Sequence, residues 1–253
     1  DQSRKKLQAF PAVFRYYKRV TTEISKKIEP VSADSVLAGR SAGALEGSFT
    51  VPGVYTIDGY RKHMKAAIEN ASEELTKDDW VMGEKAEKAQ AQGTDIKRLE
   101  DKYLNDYTDN WRKFIRGLNV PSYKTKDDAV SSLKAFSNAE SPMKIVLEEV
   151  SRHTNLSAEP EAAGWFDSIL KLFAAKKADD NKPDTVVEKE FRPLFNFTGA
   201  KTDKSEQSPI SQYGADLKKI GDELELKSSD EIKAIAQELS TQKGDFVRAF
   251  NNV

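Results

Sequence analysis

Between Thr94 and Leu118 the residues Ile96, Leu99, Tyr103, Tyr107, Trp111, Phe114, Ile115 and Leu118 recur every three or four positions. Residues at that spacing share one side of an α-helix, so the stretch reads as a long helix with a broad apolar and largely aromatic face. Such a helix is not stable alone in water. Its aromatic stripe has to be covered by other elements, and at helical spacing these rings read as core rather than as a ligand site.

The rest of the chain offers mostly further helices to do the covering. From Leu7 to Ile28 the residues Leu7, Phe10, Phe14, Tyr17, Ile24 and Ile28 keep a similar spacing, with Pro11 at a bend or a first turn. A short helix rich in small residues is expected between Ala33 and Leu45, and a longer one over residues 58–76, with Asp58 as N-cap and Tyr60, Met64, Ala67, Ile68, Ala71 and Leu75 as its stripe. The run "KDDWVMGEKAEKAQAQGTD" is weakly apolar apart from Trp80 and reads as a loop or partly ordered excursion. Asp127 to Phe136 forms a short helix. Ser141 caps the next one, Pro142 fits its first position, and Met143, Val146, Leu147 and Val150 make its buried face. Trp165 to Phe173 also looks helical, Val186 to Phe197 is a helix running into a loop, and two amphipathic helices lie near 209–226 and 229–250.

No segment alternates with period two. The expected fold is therefore all-α, an irregular multi-helix bundle of about eight to ten helices by ordinary helix lengths. It would fall into one domain or two helical subdomains, 1–125 and 126–253. Forty basic and 41 acidic residues leave a net charge of −1, which argues against a general nucleic-acid binder. There is no cysteine, hence no disulfide and no thiol nucleophile. No run of about 18 apolar residues and no signal-peptide pattern is present, so this portion is not expected to be membrane-embedded. The chain opens on "DQSRKKLQAF", in mid-pattern and without Met, as an excised or processed portion of a longer protein would.

Little in the sequence points to catalysis. The two histidines, His63 and His153, are far apart and have no zinc-like spacing; both read as surface or helix-end residues. The many carboxylates read as solvated faces. "GRSAG" at 39–43 has the spacing of a nucleophile elbow around Ser41, but it lacks the strand that such an elbow requires. Close helix packing through small residues accounts for it better. No phosphate-binding glycine loop appears. No catalytic residue, metal ligand or cofactor site is assigned.

The least generic stretch is "VPGVYTIDGYRKHM", residues 51–64. It resembles the V-x-G-x-[FY]-T-x-x-G-[FY] segment of the IcmF/TssM family, the inner-membrane component of type VI secretion systems. Further resemblances follow in order. Leu99, Tyr103, Asp106, Tyr107, Trp111, Phe114 and Leu118 match the family's L-x-x-x-Y-x-x-D-Y-x-x-x-W-x-x-F-L segment. Leu133, Ser137, Ser141, Pro142, Leu147 and Val150 match its serine-proline segment, and "FRPLFNF" at 191–197 a later F-x-P-L element.

The resemblance implies a structural scaffold: the helical periplasmic portion of an inner-membrane protein, between a membrane anchor and a domain that docks the outer-membrane lipoprotein TssJ. It implies TssL and further copies of the same protein as partners. No nucleotide chemistry carries over, because no NTP-binding motif is present. "VPGVYT" would then be a joint, with Val51 and Val54 buried, Gly53 at positive φ in a tight turn and Tyr55 anchoring the turn against a helix. The alternative is a helical hydrolase-like or ligand-binding domain using Ser41 or a carboxylate pair. It would show a concave pocket with convergent polar groups beside Ser41 or His63.

Overall fold

The computed structural model describes residues 12–40, 43–82, 89–157, 184–199, 208–228, 230–234 and 237. Ten α-helices occur among them: α1 (Ala12–Ser25), α2 (Ala33–Leu37), α3 (Ile57–Gly59), α4 (Lys65–Glu69), α5 (Ala71–Met82), α6 (Ala89–Arg116), α7 (Lys126–Ser137), α8 (Pro142–Thr154), α9 (Val186–Thr198) and α10 (Pro209–Leu226). A 3₁₀ turn, Gly53–Tyr55, precedes α3, and a π-helical turn, Tyr60–Met64, joins α3 to α4. The multi-helix reading holds. Leu7, Phe10, Pro11, Ser41, Trp165 to Phe173 and most of 229–250 lie outside the described residues.

Local chemistry explains several helix boundaries. Thr125 and Asp128 cap α7 reciprocally, and Thr185 and Glu188 do the same for α9. The Ser141 hydroxyl accepts the Lys144 N–H, and Pro142 starts α8. Helix α2 ends early because Ala38 takes a left-handed φ of 47°. The expected helix from Ala33 to Leu45 therefore stops at Leu37.

Other expectations are also corrected. The run around Trp80 is not a loop: α5 continues to Met82, and α6 already begins at Ala89. Phe14 is exposed, because the stripe of α1 runs through Val13, Tyr16, Tyr17, Val20 and Ile24 instead. Residues 58–76 are not one helix but α3, the π-turn, α4 and part of α5. Leu118 has left the helix. It pairs with Gly47, and Asn119 with Glu46, in a two-residue antiparallel pair, β1 (Glu46–Gly47) and β2 (Leu118–Asn119).

The core is built around α6. Leu99, Tyr103, Tyr107, Trp111 and Phe114 are buried on its face. They are covered by α1, the 3₁₀ turn, α8 and α9, through Tyr17, Val54, Val150, Phe191 and Phe195 among others. α7 and α10 lie against each other at one side. Among the described residues no helix is long and apolar enough to cross a membrane.

Candidate functional site

The stretch from Val51 to Met64 runs through the 3₁₀ turn, α3 and the π-turn, ahead of the longer helices. Val31 and Val51 clamp its entry by two backbone hydrogen bonds, 2.9 and 2.8 Å. Gly53 does not take positive φ. It opens the 3₁₀ turn, and a Cβ there would lie 1.9 Å from the Ile28 carbonyl oxygen. Close backbone approach, not a left-handed conformation, is what requires glycine. Gly59 obeys the same constraint one step later, because its Cβ would lie 2.2 Å from the Gly53 carbonyl oxygen. Thr56, not Asp58, is the N-cap of α3. Its hydroxyl accepts the Gly59 N–H at 3.1 Å and donates to the Gly53 carbonyl at 2.7 Å.

Two aromatic side chains of α6 then fasten this joint by their polar ends, and a third fastens the end of α8. The Tyr103 hydroxyl donates to the Val54 carbonyl at 2.8 Å, and the Trp111 Nε1–H to the Tyr55 carbonyl at 2.8 Å. The Tyr107 hydroxyl donates to the His153 carbonyl at 2.6 Å, at the C-terminal end of α8. The Tyr103 ring lies between Tyr55 and Tyr60, at centroid distances of 5.8 and 6.0 Å. These rings combine large buried area with satisfied polar tips, so the turn is held in one place. Burial raises the Tyr103 and Tyr107 pKa values well above the ordinary range, which keeps both hydroxyls protonated as donors.

On the outer side, the Tyr17 hydroxyl donates to Asp106 at 2.5 Å, leaving the Tyr55 hydroxyl to donate to the Tyr17 oxygen at 2.9 Å. Lys102 holds the same Asp106 carboxylate at 2.8 Å.

His153 lies at a helix end, as expected, but it is not a surface residue: it is 3% exposed. Its ring stacks on Trp111 at 4.9 Å, and its Nδ1 accepts the Ile57 backbone N–H at 3.1 Å. Glu149 accepts from its Nε2 side at 3.1 Å and is bound by Arg152 at 2.6 and 2.9 Å. Burial opposes the Glu149 charge, but these hydrogen bonds outweigh it and hold the carboxyl down to about 2. Burial holds His153 below the ordinary imidazole value, against a partial offset from Glu149. His63, on the π-turn, is half-buried and distant in role from this arrangement.

A second buried polar residue passes unnoticed in the sequence. Glu188 is fully buried, and its carboxylate accepts the Ser157 N–H at 2.8 Å and, on its other oxygen, the Thr185 N–H at 2.8 Å and the Thr185 hydroxyl at 2.9 Å. Burial opposes its charge, and those hydrogen bonds overcome the penalty and lower its pKa.

Two clefts lie away from the joint. One of about 280 Å³ is lined by Phe136, Met143, Lys144, Ile210 and Tyr213, and one of about 440 Å³ by Gly43, Pro121, Tyr123, Lys124 and Asp128. His63 lines neither. Among the described residues no group of three or more His, Asp or Glu side chains could hold a metal ion, and no buried side-chain nitrogen or oxygen lacks a hydrogen-bond partner. What the site does chemically is to pin backbone to backbone.

Comparison with known proteins agrees with the family resemblance. The model of the IcmF-related family (intracellular multiplication and human macrophage-killing) matches residues 1–155. The type VI secretion system component TssM1 of Pseudomonas aeruginosa is 29% identical over 237 residues, 87% of this chain. The chain spans only 20% of that relative's length. No solved structure matches the chain. With more than half of its residues matched by the family model, the chain belongs to the IcmF/TssM family.

Proposed function

We propose that this chain is a non-catalytic, structural portion of a type VI secretion membrane complex. In this reading it is the helical periplasmic region of an inner-membrane protein, carrying force and position between a membrane anchor and a domain that docks the lipoprotein TssJ. TssL and further copies of the same protein are its other partners. The observation that supports the reading most is the use made of the family's motif residues. Gly53, Thr56, Gly59, Tyr103, Tyr107, Trp111, Ser141 and Phe191 all serve close packing, caps and backbone anchoring. Residues arranged that way fix the shape of a support.

The test is to purify the full-length protein from membranes in native form and as Ser41→Ala and His63→Ala. TssJ and TssL are expected to co-purify with all three, and all three are expected to support secretion. A variant that assembles normally but does not secrete would replace the scaffold by the hydrolase-like alternative.

A further inference from the structure

His153 faces charged groups on several sides. On its own helix, Glu149 lies 3.1 Å from Nε2, and the Arg152 guanidinium 2.9 Å from the same atom. From α3 comes Asp58, a weaker influence in favour of a charged ring. On the π-turn, Arg61 donates to the Leu156 carbonyl just beyond α8. α6 contributes the neutral Tyr107 and Trp111. α7 packs on α8 as well, but its Asp127, Asp128 and Lys134 are exposed and its Lys126 is held by the Glu225 and Lys227 carbonyls. α9 and α2 also pack on α8. Their Glu188 is held by Ser157 and Thr185, and their Asp34 is exposed.

The hydrogen bonds decide the tautomer. A backbone N–H can only donate, so Nδ1 must carry a lone pair toward Ile57. The ring proton is therefore on Nε2, directed at Glu149. Arg152 has no acceptor to offer, so its approach to Nε2 is that of two donors sharing one carboxylate. A second proton on the ring would have to go on Nδ1, where it would meet the Ile57 N–H head-on.

We infer that His153 is a proton-operated clasp: neutral, it ties the end of α8 to the joint through the Ile57 N–H, and protonation at Nδ1 releases that tie. Two further contacts at the same point do not titrate near neutrality, the Tyr107 bond to the His153 carbonyl and the Trp111 bond to the Tyr55 carbonyl. The clasp therefore loosens the joint at Ile57 without freeing the long helix. The direction with pH follows from the ring's lowered proton affinity. The unfolded chain takes up the proton first as pH falls below about 6.5, so the clasp contributes fully above that value and is progressively lost below it.

The test uses the ¹⁵N-labelled chain. Histidine ring correlation spectra are expected to show the Nε2–H tautomer for His153 near neutral pH. Hydrogen exchange, corrected for its intrinsic pH dependence, is expected to show Ile57 protection falling about tenfold relative to Val130 of α7 between about pH 7.5 and about pH 5. His153→Asn keeps an acceptor at the Nδ1 position and does not titrate, so its Ile57 protection should not respond to pH. An Nδ1–H tautomer, unchanged Ile57 protection while the ring charges, or the same acid response in His153→Asn would each overturn the inference. Should His153→Asn not fold, the tautomer and the Ile57-to-Val130 ratio in the native chain decide alone.

Discussion

The joint and the α7–α10 pair are both made of amphipathic segments, yet they are held by different means. At the joint, Trp111, Tyr103, Tyr107, Val51, Val54 and Met64 are essentially inaccessible, and each large ring also anchors a backbone carbonyl. In the pair, burial is confined to a few residues such as Val130, Phe136, Ile210 and Gly221. Polar ties do the rest: the Lys126 ammonium donates to the Glu225 and Lys227 carbonyls at 2.9 and 2.6 Å, and Lys134 meets Glu225 at 2.8 Å. Tyr213, Ile220 and Leu226 of α10 remain exposed. Amphipathic helices thus give an over-determined core in one place and a lightly attached layer in another. The difference is set by which face meets aromatic rings with a polar end.

Substitutions can break this contrast. Trp111→Ala should be the most damaging, about 3–5 kcal/mol in urea unfolding, because it opens a large cavity and strips the Tyr55 carbonyl of its donor. A loss below about 1 kcal/mol would mean that the ring does not carry the core. Gly53→Ala comes next, at about 3 kcal/mol, since even one methyl overlaps the Ile28 backbone. A native-like melting curve for Gly53→Ala would show that the 3₁₀ turn can shift, and that the joint is softer than its contacts suggest. Lys134→Ala marks the other extreme. Its partner Glu225 is about half exposed, so the change should stay under about 1 kcal/mol and shrink further in high salt. A larger, salt-insensitive cost would erase the distinction between the two regions.

Much of the core was legible from spacing alone. The face of α6 from Leu99 to Phe114 and the Ser141-Pro142 start of α8 follow from period and capping chemistry, whereas the burial of Val51 and Val54 follows from the family resemblance. Gly53 is required for a reason other than the one its sequence context suggests. A Pro-Gly pair signals a turn, but only the three-dimensional approach of Ile28 distinguishes steric need from positive φ. His153 had a readable signal that polarity obscured. It continues the Val146 and Val150 stripe at helical spacing, which puts it on the buried face of α8. Glu188 gave no sign of burial: Thr185 stands three residues before it, as in a capping box, but its bond to Ser157 joins chain segments far apart in sequence. The β1–β2 pair escaped for the same reason: two residues are too few to show alternation.

The carboxylate of Glu188 brings together two amides, those of Ser157 and Thr185, that are separated by 28 positions. One buried side chain therefore fixes the stretch just beyond α8 and the start of α9 against each other. Each carboxylate oxygen is the acceptor for one of the two amides, so the clip needs two acceptors and not merely a side chain of the right size. A glutamine at this position would turn its NH2 donor toward one of the amides, and one end of the clip would open.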